Sequence, residues 1–235
     1  MSVFGPLRLV HRETISPAQL GRTLCTEVAE QVPYWVAVLT PAERPLLTEQ
    51  FTKFEQTSMT FALPDGPHHR RVLLLAALGS AVSTWQRNNR RGSSAGALVD
   101  LDLDRTGAVH PVRLPAVHTD ALTVPSHAEH LLDDVARRLA SVPNAGRDYA
   151  LTRNYPALAC RAGAQIIVRD SALAEPSRDH AIDIGITVTD IGIALARITW
   201  AHGLQGADEL IRLWSDTARQ LATTTTPAAT GSSAA

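Results

Sequence analysis

The sequence contains very little cysteine. Cys25 and Cys160 are the only two cysteines among 235 residues, and neither belongs to a Cys-x-x-Cys pair. Disulfide frameworks and zinc sites need more cysteines at closer spacing, so the sequence excludes both as the basis of its fold. We expect two ordinary reduced thiols, because free cysteine usually behaves as a small buried hydrophobe.

The sequence also lacks an excess of positive or negative charge. The formal net charge is -1 at pH 7, the isoelectric point is about 6.8, and only 19% of the residues are charged. A protein that binds nucleic acid or an anionic membrane usually carries a basic patch, so we expect no nucleic acid and neutral substrates or partners. With 45% hydrophobic residues the chain has ample material for a buried core.

Long apolar runs are absent as well. No stretch approaches the roughly 20 residues that an α-helix needs to cross a bilayer. The first twenty residues contain Arg8, His11, Arg12 and Glu13 around a short apolar stretch, which is not the pattern of a signal peptide. The sequence therefore predicts no membrane association and a cytoplasmic location.

The first half of the chain predicts two helices and one strand. Ser16-Pro-Ala-Gln19 has the spacing of a capping box and predicts a helix over about residues 17–31. Tyr34 and Trp35 follow, and such an aromatic pair is more often a packing anchor than a ligand contact. Alternating side chains predict a strand over residues 57–63, and apolar residues at three- and four-residue steps predict a buried helix over residues 71–87.

The second half alternates strands and helices. Val99, Leu101 and Leu103 alternate with three aspartates and predict a strand. Ser126-His-Ala-Glu129 is a second capping-box pattern, and its helix is predicted to end at Pro143-Asn-Ala-Gly146. Further strands are predicted over residues 165–168, 182–188 and 191–200, the last two as a hairpin, with a final helix over residues 207–221. This order predicts an α/β fold with a mixed central sheet and packed helices.

Asp100, Asp102 and Asp104 recur at every second position, so they share one face of the predicted strand, about 7 Å apart. Carboxylates at this spacing raise one another's pKa or bind a hard cation. The alternative is a solvent-exposed edge strand kept soluble by charge, and we favour it because charged edges are common. His127 and His130 are three residues apart on a predicted helix, but a solvated helix face explains them better than a metal site. We predict no metal.

Other chemical signals are weak. No Gly-x-Ser-x-Gly elbow, phosphate-binding loop or dinucleotide fingerprint occurs. Single histidines without an orienting carboxylate nearby in sequence receive no role; they are His110, His118, His180 and His202. Arg70-Arg71 and Arg90-Arg91 flank the predicted core helix and are candidates to bind a phosphate-bearing group or an acidic surface, although arginines near helix ends are usually solvated.

Several short segments are informative as an ordered set. They are Tyr34-Trp35, the helix from Val72 to Trp85, Leu98-Val-Asp-Leu-Asp102, Arg105-Thr-Gly107 with His110-Pro-Val-Arg-Leu114, Val142-Pro143 with Tyr149-Ala-Leu151, Asp183 to Trp200, and Leu210 to Leu221. In this order they resemble the second, C-terminal lobe of a condensation or epimerisation domain of a nonribosomal peptide synthetase. The resemblance implies a single lobe of the chloramphenicol-acetyltransferase-like superfamily. It divides the chain into an N-terminal helical segment (1–33), a condensation-domain-like lobe (34–222) and a disordered tail (223–235).

Two departures from the family pattern concern activity. The family's first lobe carries a His-His-x-x-x-Asp-Gly motif whose second His acts as the base. In this sequence His68-His69 is followed by Arg70-Arg71 without the Asp and Gly, so we do not expect His69 to act as a base. Asp102 stands at the position of the family's glutamate acid/base, but Leu103-Asp-Arg105 replaces the neighbouring residues, and a shorter carboxylate is placed differently.

The sequence leaves three functional hypotheses open. The resemblance favours a lobe that is not catalytic alone and that acts with a partner lobe, either a second copy or a complementary first-lobe protein, in nonribosomal peptide or related acyl biosynthesis. The second hypothesis is an acyltransferase or epimerase with its site at a subunit interface and with Asp102 or His110 as the catalytic candidate. The third is a module that binds or scaffolds a carrier protein. No intrinsic cofactor is implied; the expected substrate is carried on the phosphopantetheine of a carrier protein.

Overall fold

The computed structural model describes residues 21–22, 25–43, 45–47, 53–63, 69–89, 95–103, 108–172 and 175–225. Within these ranges the strands are β1 (Phe54–Ala62), β2 (Leu98–Asp102), β3 (His110–Arg113), β4 (Ile166–Arg169), β5 (Ile182–Val188) and β6 (Ile193–Ala201). The α-helices are α1 (Thr26–Ala29), α2 (Val32–Val38), α3 (Arg70–Asn88), α4 (Pro125–Ala140), α5 (Tyr149–Thr152), α6 (Pro156–Ala159) and α7 (Ala207–Thr225). Two short 3-10 helices, Thr119–Thr123 and Pro143–Gly146, flank α4.

The strands form one mixed sheet in the order β1-β6-β5-β4-β2-β3. Strands β2, β4 and β5 are parallel to one another at its centre. Strands β1, β6 and β3 join through antiparallel pairings, and β5 and β6 form the predicted hairpin. Parallel strands need long crossover connections. The connection from β2 to β4 contains β3 and helices α4 to α6, whereas the described part of the connection from β4 to β5 contains no helix. The predicted α/β fold with a mixed central sheet is confirmed.

Helices α3 and α7 cover one face of the sheet. The stretch of α3 from Val72 to Gln86 is buried throughout, because most of its side chains are apolar or small and the charged residues of the helix lie at its ends. The indole Nε1 of Trp214 in α7 donates a hydrogen bond to the Leu74 carbonyl oxygen at 3.0 Å. The Trp214 ring also lies 5.1 Å from the Phe61 ring of β1. The main core therefore lies between this helical layer and the sheet.

A smaller core surrounds Trp35, which is completely buried. It consists of Trp35, Leu39, Leu98, Leu158 and Ala164. The rings of Tyr34 and Trp35 meet edge to face with centroids 4.9 Å apart. The prediction that this aromatic pair anchors the packing is confirmed.

The N-terminal helix prediction needs correction. Ser16-Pro-Ala-Gln19 lies outside the described residues. Where the chain is described, the predicted single helix is replaced by α1, which ends at Ala29, and by α2, which begins at Val32. Pro33 is in the first turn of α2, where a proline costs no helical hydrogen bond.

Three other local predictions differ from the structure. Helix α4 begins at Pro125 with Val124 as its N-cap, so Ser126 lies inside the helix and caps nothing; proline at the first helical position sets this start. Helix α7 continues to Thr225, so residues 223–225 are helical and only residues 226–235 of the predicted tail lie outside the described part. Cys25 is half-buried and Cys160 exposed, so neither is a buried hydrophobe, although both are free thiols.

Arg113 of β3 holds the segment after α2 against the sheet. Its guanidinium donates to the carbonyl oxygens of Val38 at 2.8 Å, Gly96 at 3.1 Å and Pro41 at 2.7 Å. The Glu43 carboxylate lies 3.7 Å from the guanidinium and accepts a hydrogen bond of 2.6 Å from the Leu98 amide of β2. Burial raises the pKa of Glu43 to about 7, although the Leu98 hydrogen bond and the Arg113 charge both oppose this shift.

We predict that Glu43→Gln removes a pH-dependent loss of stability. Between pH 4.5 and about 7 the folded protein holds a proton that the unfolded chain has released, so the free energy of unfolding falls as pH rises through this window. Glutamine stays neutral and keeps an oxygen for the Leu98 amide. Relative to the variant, the wild type should lose about 2 kcal/mol between roughly pH 5 and pH 7, measured by urea unfolding.

Glu27→Gln is the matched control, because Glu27 is exposed. It should leave the pH dependence of the wild type unchanged. If the Glu43 variant and the wild type lose stability in parallel over the same pH window, the Glu43 proton is not the cause.

Candidate functional site

The face of the sheet opposite α3 and α7, here called the second face, carries a row of ionisable side chains. Val99 and Leu101 of β2 point into the main core, so the alternating Asp100 and Asp102 lie on the second face. The same alternation places Arg169 of β4 and Asp183 of β5 there. In the pairing of β2 with β4, Asp102 is opposite Arg169. Three central strands thus bring carboxylates and a guanidinium onto one surface.

The interpretation of the aspartate strand as a solvent-exposed edge is wrong. Strand β2 lies inside the sheet, between β4 and β3. Asp100 and Asp102 are half-buried, and Asp104 lies outside the described residues. Alternation alone cannot distinguish an edge from an interior strand, because the partner β4 is more than sixty residues away in the sequence.

The connection from β4 to β5, here called the β4–β5 link (residues 170–172 and 175–181 in the described part of the chain), crosses the second face. The Asp170 amide donates to the Asp102 carbonyl oxygen at 3.1 Å, and the Ala172 amide donates to Thr187 Oγ1 at 3.1 Å. At Gly185 of β5, an added Cβ would lie only 2.3 Å from the Ser171 carbonyl oxygen. A glycine is therefore required for the link to approach the strand this closely.

Asp183 fixes the middle of this link. Its side chain is only 2% exposed and forms an ion pair with Arg169, whose side chain is 15% exposed. The same carboxylate oxygen accepts a hydrogen bond of 2.6 Å from the Ser177 amide. Arg169 in turn donates to the Glu175 carbonyl oxygen. The ion pair therefore holds two points of the link against the sheet.

His180 connects the link to β2. Its Nε2 lies 2.9 Å from Asp100 Oδ2, and its Nδ1 lies 2.8 Å from Ser177 Oγ. The side chains of His180 and Asp100 are 12% and 14% exposed, so water screens their interaction only in part. Ser177, His180 and Asp100 form one continuous hydrogen-bond chain.

His110 belongs to the aromatic group around Trp35. Its Nδ1 lies 2.8 Å from the Ala108 carbonyl oxygen, and its ring centroid lies 6.2 Å from that of Trp35. Gly146 faces the ring with φ of 78°, and an added Cβ there would lie 2.1 Å from His110 Nδ1. Packing therefore fixes the position of the imidazole.

Tyr149 lies on the same aromatic group, with its ring 4.8 Å from that of Trp35. Burial raises the pKa of Tyr149 to about 12; Arg153 opposes this shift and Asp100 adds to it. The phenol is therefore neutral at physiological pH and stands near the acidic residues of β2.

The sequence candidates occupy different surroundings. Asp102 lies on the second face beside the β4–β5 link, whereas His110 lies in the aromatic group; their catalytic roles stay predictions. His69 caps α3, since its Nδ1 accepts a hydrogen bond of 3.2 Å from the Arg71 amide. His68 lies outside the described residues.

The arginine pair at the start of α3 serves the fold. Arg70 donates to the carbonyl oxygens of Thr189 and Asp190 at the β5–β6 turn, at 3.1 and 3.2 Å. Arg71 forms an ion pair of 2.6 Å with Asp170 of the β4–β5 link. The expectation of solvated arginines is therefore wrong for this pair, and Arg90-Arg91 lies outside the described residues.

Sequence reasoning missed His180, Ser177, Asp183 and Arg169. His180 had no orienting carboxylate nearby in sequence, because its partner Asp100 precedes it by 80 residues. A usable signal was present in the two apolar strands on either side of the link. Had the parallel pairings of β5 with β4 and of β4 with β2 been anticipated, the polar residues of the link would have been placed over the aspartates.

The described part of the chain shows no metal site and no membrane helix. No group of three or more His, Cys, Asp or Glu side chains in it could hold a metal ion. None of the helices in the described ranges is both long and apolar enough to cross a bilayer.

Comparison with known proteins gives matches among solved structures alone. No family model matches the chain, and no curated protein matches its sequence. The epimerisation domain from the third module of tyrocidine synthetase B matches with a TM-score of 0.60 and 20% identity, over 88% of this chain and 57% of that one. The starter condensation domain of rhizomide synthetase RzmA matches with a TM-score of 0.54 and 13% identity, over 89% and 53%.

The chain has the fold of a condensation-domain lobe. A wax ester synthase/diacylglycerol acyltransferase from Marinobacter aquaeolei VT8 shares it, with a TM-score of 0.50 and 12% identity over 89% of this chain and 58% of that one. The lobe spans little more than half the length of these structures. At such identities the likeness concerns the fold, and it confirms the fold that the ordered sequence segments predicted.

We predict that Asp183→Asn strongly destabilises the lobe. The variant leaves the Arg169 guanidinium buried without its carboxylate, while the amide oxygen can still accept from the Ser177 amide. Removal of one partner from a buried ion pair costs about 3 kcal/mol or more, which urea unfolding would measure.

Asp216→Asn is the control. Asp216 pairs with Arg219 within α7 at 2.6 Å, but both side chains are more than half exposed. Its removal should change the free energy of unfolding by less than about 1 kcal/mol. Equal, small effects of the two substitutions would show that the Arg169–Asp183 pair does not hold the link.

Proposed function

We propose that this lobe works in acyl biosynthesis of the nonribosomal peptide type and is catalytically competent only with a partner lobe on its second face. The partner is either a second copy or a complementary first lobe. The substrate is an acyl or aminoacyl group presented as a thioester on the phosphopantetheine of a carrier protein. The observation that carries the proposal is the second face itself, which combines ionisable groups with an exposed apolar patch.

The fold supports this proposal. The structures that share it include domains of two peptide synthetases, and the lobe spans 57% and 53% of those chains. The sequence resemblance assigns the base motif of such domains to the first lobe, and the 235 residues do not contain that motif. Its fold and its residues therefore favour a lobe that supplies one wall of a site.

The apolar patch supports a partner. Ile191, Ile193 and Leu195 are 80%, 39% and 42% exposed, and they follow one another along the β5–β6 hairpin. Ile193 and Leu195 alternate with the core residues Ala194 and Ala196, so they lie on the second face. Adjacent exposed apolar side chains are typical of surfaces that another protein covers.

We predict that Leu195→Glu weakens association of the lobe. A carboxylate in a covered apolar patch must be desolvated, so the dissociation constant should rise at least about tenfold. Size-exclusion chromatography with light scattering measures association of the 25.3 kDa chain with itself. Titration with a separately expressed first lobe of a condensation domain measures the heterologous complex.

Val124→Glu is the matched control, because Val124 is 44% exposed and lies at the start of α4. It should leave association unchanged. A wild-type lobe that stays monomeric at micromolar concentration and does not bind the first lobe would contradict the proposal, as would equal weakening by both substitutions.

We predict that catalysis needs the partner and Asp102. Thioester aminolysis and α-proton exchange on a carrier-bound aminoacyl group should be undetectable with the lobe alone and measurable with the partner. Asp102→Asn should lower that rate at least about tenfold, because the amide cannot transfer a proton. His110→Ala should act mainly through stability, since packing fixes the ring.

Three results would contradict or change this proposal. Turnover by the lobe alone would show that it needs no partner, and indifference to Asp102→Asn would remove Asp102 from the site. Binding of a charged carrier protein by the lobe, without turnover even when the partner is bound, would instead establish a scaffold module.

A further inference from the structure

We propose that Ser177 is an acyl-accepting hydroxyl, with His180 as its base and Asp100 as the group that orients this base. The site lies on the second face, on the β4–β5 link. Its substrates are activated acyl groups, thioesters among them. The inference goes beyond the proposed function, because it needs no partner lobe and concerns a covalent acyl group on this chain.

When His180 is neutral and Asp100 is ionised, the hydrogen-bond chain admits one arrangement of its protons. An ionised carboxylate only accepts hydrogen bonds, so His180 Nε2 carries a proton and donates it to Asp100 Oδ2 across 2.9 Å. In the neutral imidazole the other nitrogen must then accept. His180 Nδ1 therefore accepts from the Ser177 hydroxyl across 2.8 Å. This order of nucleophile, base and orienting carboxylate is the arrangement that activates a hydroxyl.

The surroundings hold this geometry in place. The Ser177 amide is bonded to Asp183 Oδ2 at 2.6 Å, and Asp183 is paired with Arg169 on the adjacent strand. Asp100 lies on β2, inside the sheet. Both ends of the hydrogen-bond chain are thus attached to strands, and reaction of Ser177 would need little rearrangement.

Ser177 lies closer to solvent than its base does. Ser177 is half-buried, and the following residues Arg178 and Asp179 are exposed. His180 and Asp100 are nearly buried, at 12% and 14% exposure. Their interaction is therefore stronger than in water when His180 becomes charged.

The reaction is an acyl transfer that balances without another reactant. Ser177 Oγ attacks the thioester carbonyl carbon, and its proton passes to His180 Nδ1. The carbon–sulfur bond then breaks, and His180 returns the proton to the departing thiolate. The products are an ester on Ser177 and a free thiol. Asp100 stabilises the imidazolium formed between these two steps.

The same contacts limit the rate. The Ser177 amide donates its hydrogen bond to Asp183, so this N–H does not stabilise the developing oxyanion. In other acyl transfers, such a donor raises the rate about a hundredfold or more. We therefore expect slow, stoichiometric acylation by activated donors. Fast turnover is not expected of the lobe alone.

The test is covalent labelling of the folded lobe without any partner. A fluorophosphonate and the octanoyl thioester of N-acetylcysteamine serve as probes, with intact mass and peptide mapping as readouts. Lys53 is the only lysine in the sequence, so acylation of side-chain amines is confined to one residue. We expect the fluorophosphonate to form one adduct per chain, on Ser177, and this adduct should not form when the lobe is unfolded in urea before labelling. Peptide mapping distinguishes an octanoyl ester on Ser177 from acyl exchange onto the free thiols of Cys25 and Cys160.

Substitutions test whether His180 and Asp100 activate the Ser177 hydroxyl or only stabilise the fold. Ser177→Ala should abolish the adduct, and His180→Gln should lower its rate about a hundredfold, the usual contribution of a general base. Asp100→Asn should also lower the rate, because a neutral amide orients the imidazole less well. Ser141→Ala is the control: Ser141 is exposed, and its hydroxyl donates to the Arg138 carbonyl oxygen, so the adduct should persist.

The labelling also distinguishes this inference from the proposed function. No adduct on folded wild-type protein, or an equal labelling rate in urea, would show that the hydrogen-bond chain is structural only. A Ser177 adduct that forms equally fast in folded His180→Gln would overturn the role of His180. None of these results bears on partner binding, which light scattering measures separately.

Discussion

The buried ion pair between Arg169 and Asp183 determines how the second face is built. Parallel strands β4 and β5 are paired with each other, yet the link between them returns across their own surface. That path would leave backbone amides and a guanidinium without partners. Asp183 Oδ2 compensates part of this cost, since it pairs with one guanidinium nitrogen of Arg169 and accepts a hydrogen bond from the Ser177 amide. Because this carboxylate is 2% exposed, its charge stabilises the structure only while Arg169 compensates it.

Different interactions stabilise the two faces of the sheet. On one face the apolar helices α3 and α7 bury the strands, and apolar area removed from water supplies the stability. On the second face, charged pairs and the β4–β5 link cover the parallel strands, while Ile193 and Leu195 stay exposed at the hairpin. A sheet that is closed on one side and unevenly covered on the other is suited to contribute one wall of a shared site. This asymmetry links the fold to the proposed partner.

The sequence predicted the elements whose signal is local. Apolar spacing predicted α3, and strict alternation predicted β5 and β6 as a hairpin, because burial on one side imposes a period on the chain. The second capping-box pattern failed, since Pro125 set the start of α4 instead. The Ser177–His180–Asp100 hydrogen-bond chain could not be predicted from the sequence for a different reason. His180 lies beside Asp100 only because β2 and β5 each pair with β4, and such long-range register has no local signature.

The proposed partner lobe and the acyl-accepting serine are related through the second face. Asp100 and Asp102 are about 7 Å apart along β2, so an acyl chain that reaches one carboxylate passes close to the other. A partner lobe that covers this face would exclude water, and an ester on Ser177 would then be protected from hydrolysis. With the partner lobe bound, an acceptor amine could reach the ester only from the side of the partner. Closure of the face, rather than the reactivity of Ser177 alone, would therefore decide whether the acyl group is stored, transferred or lost to water.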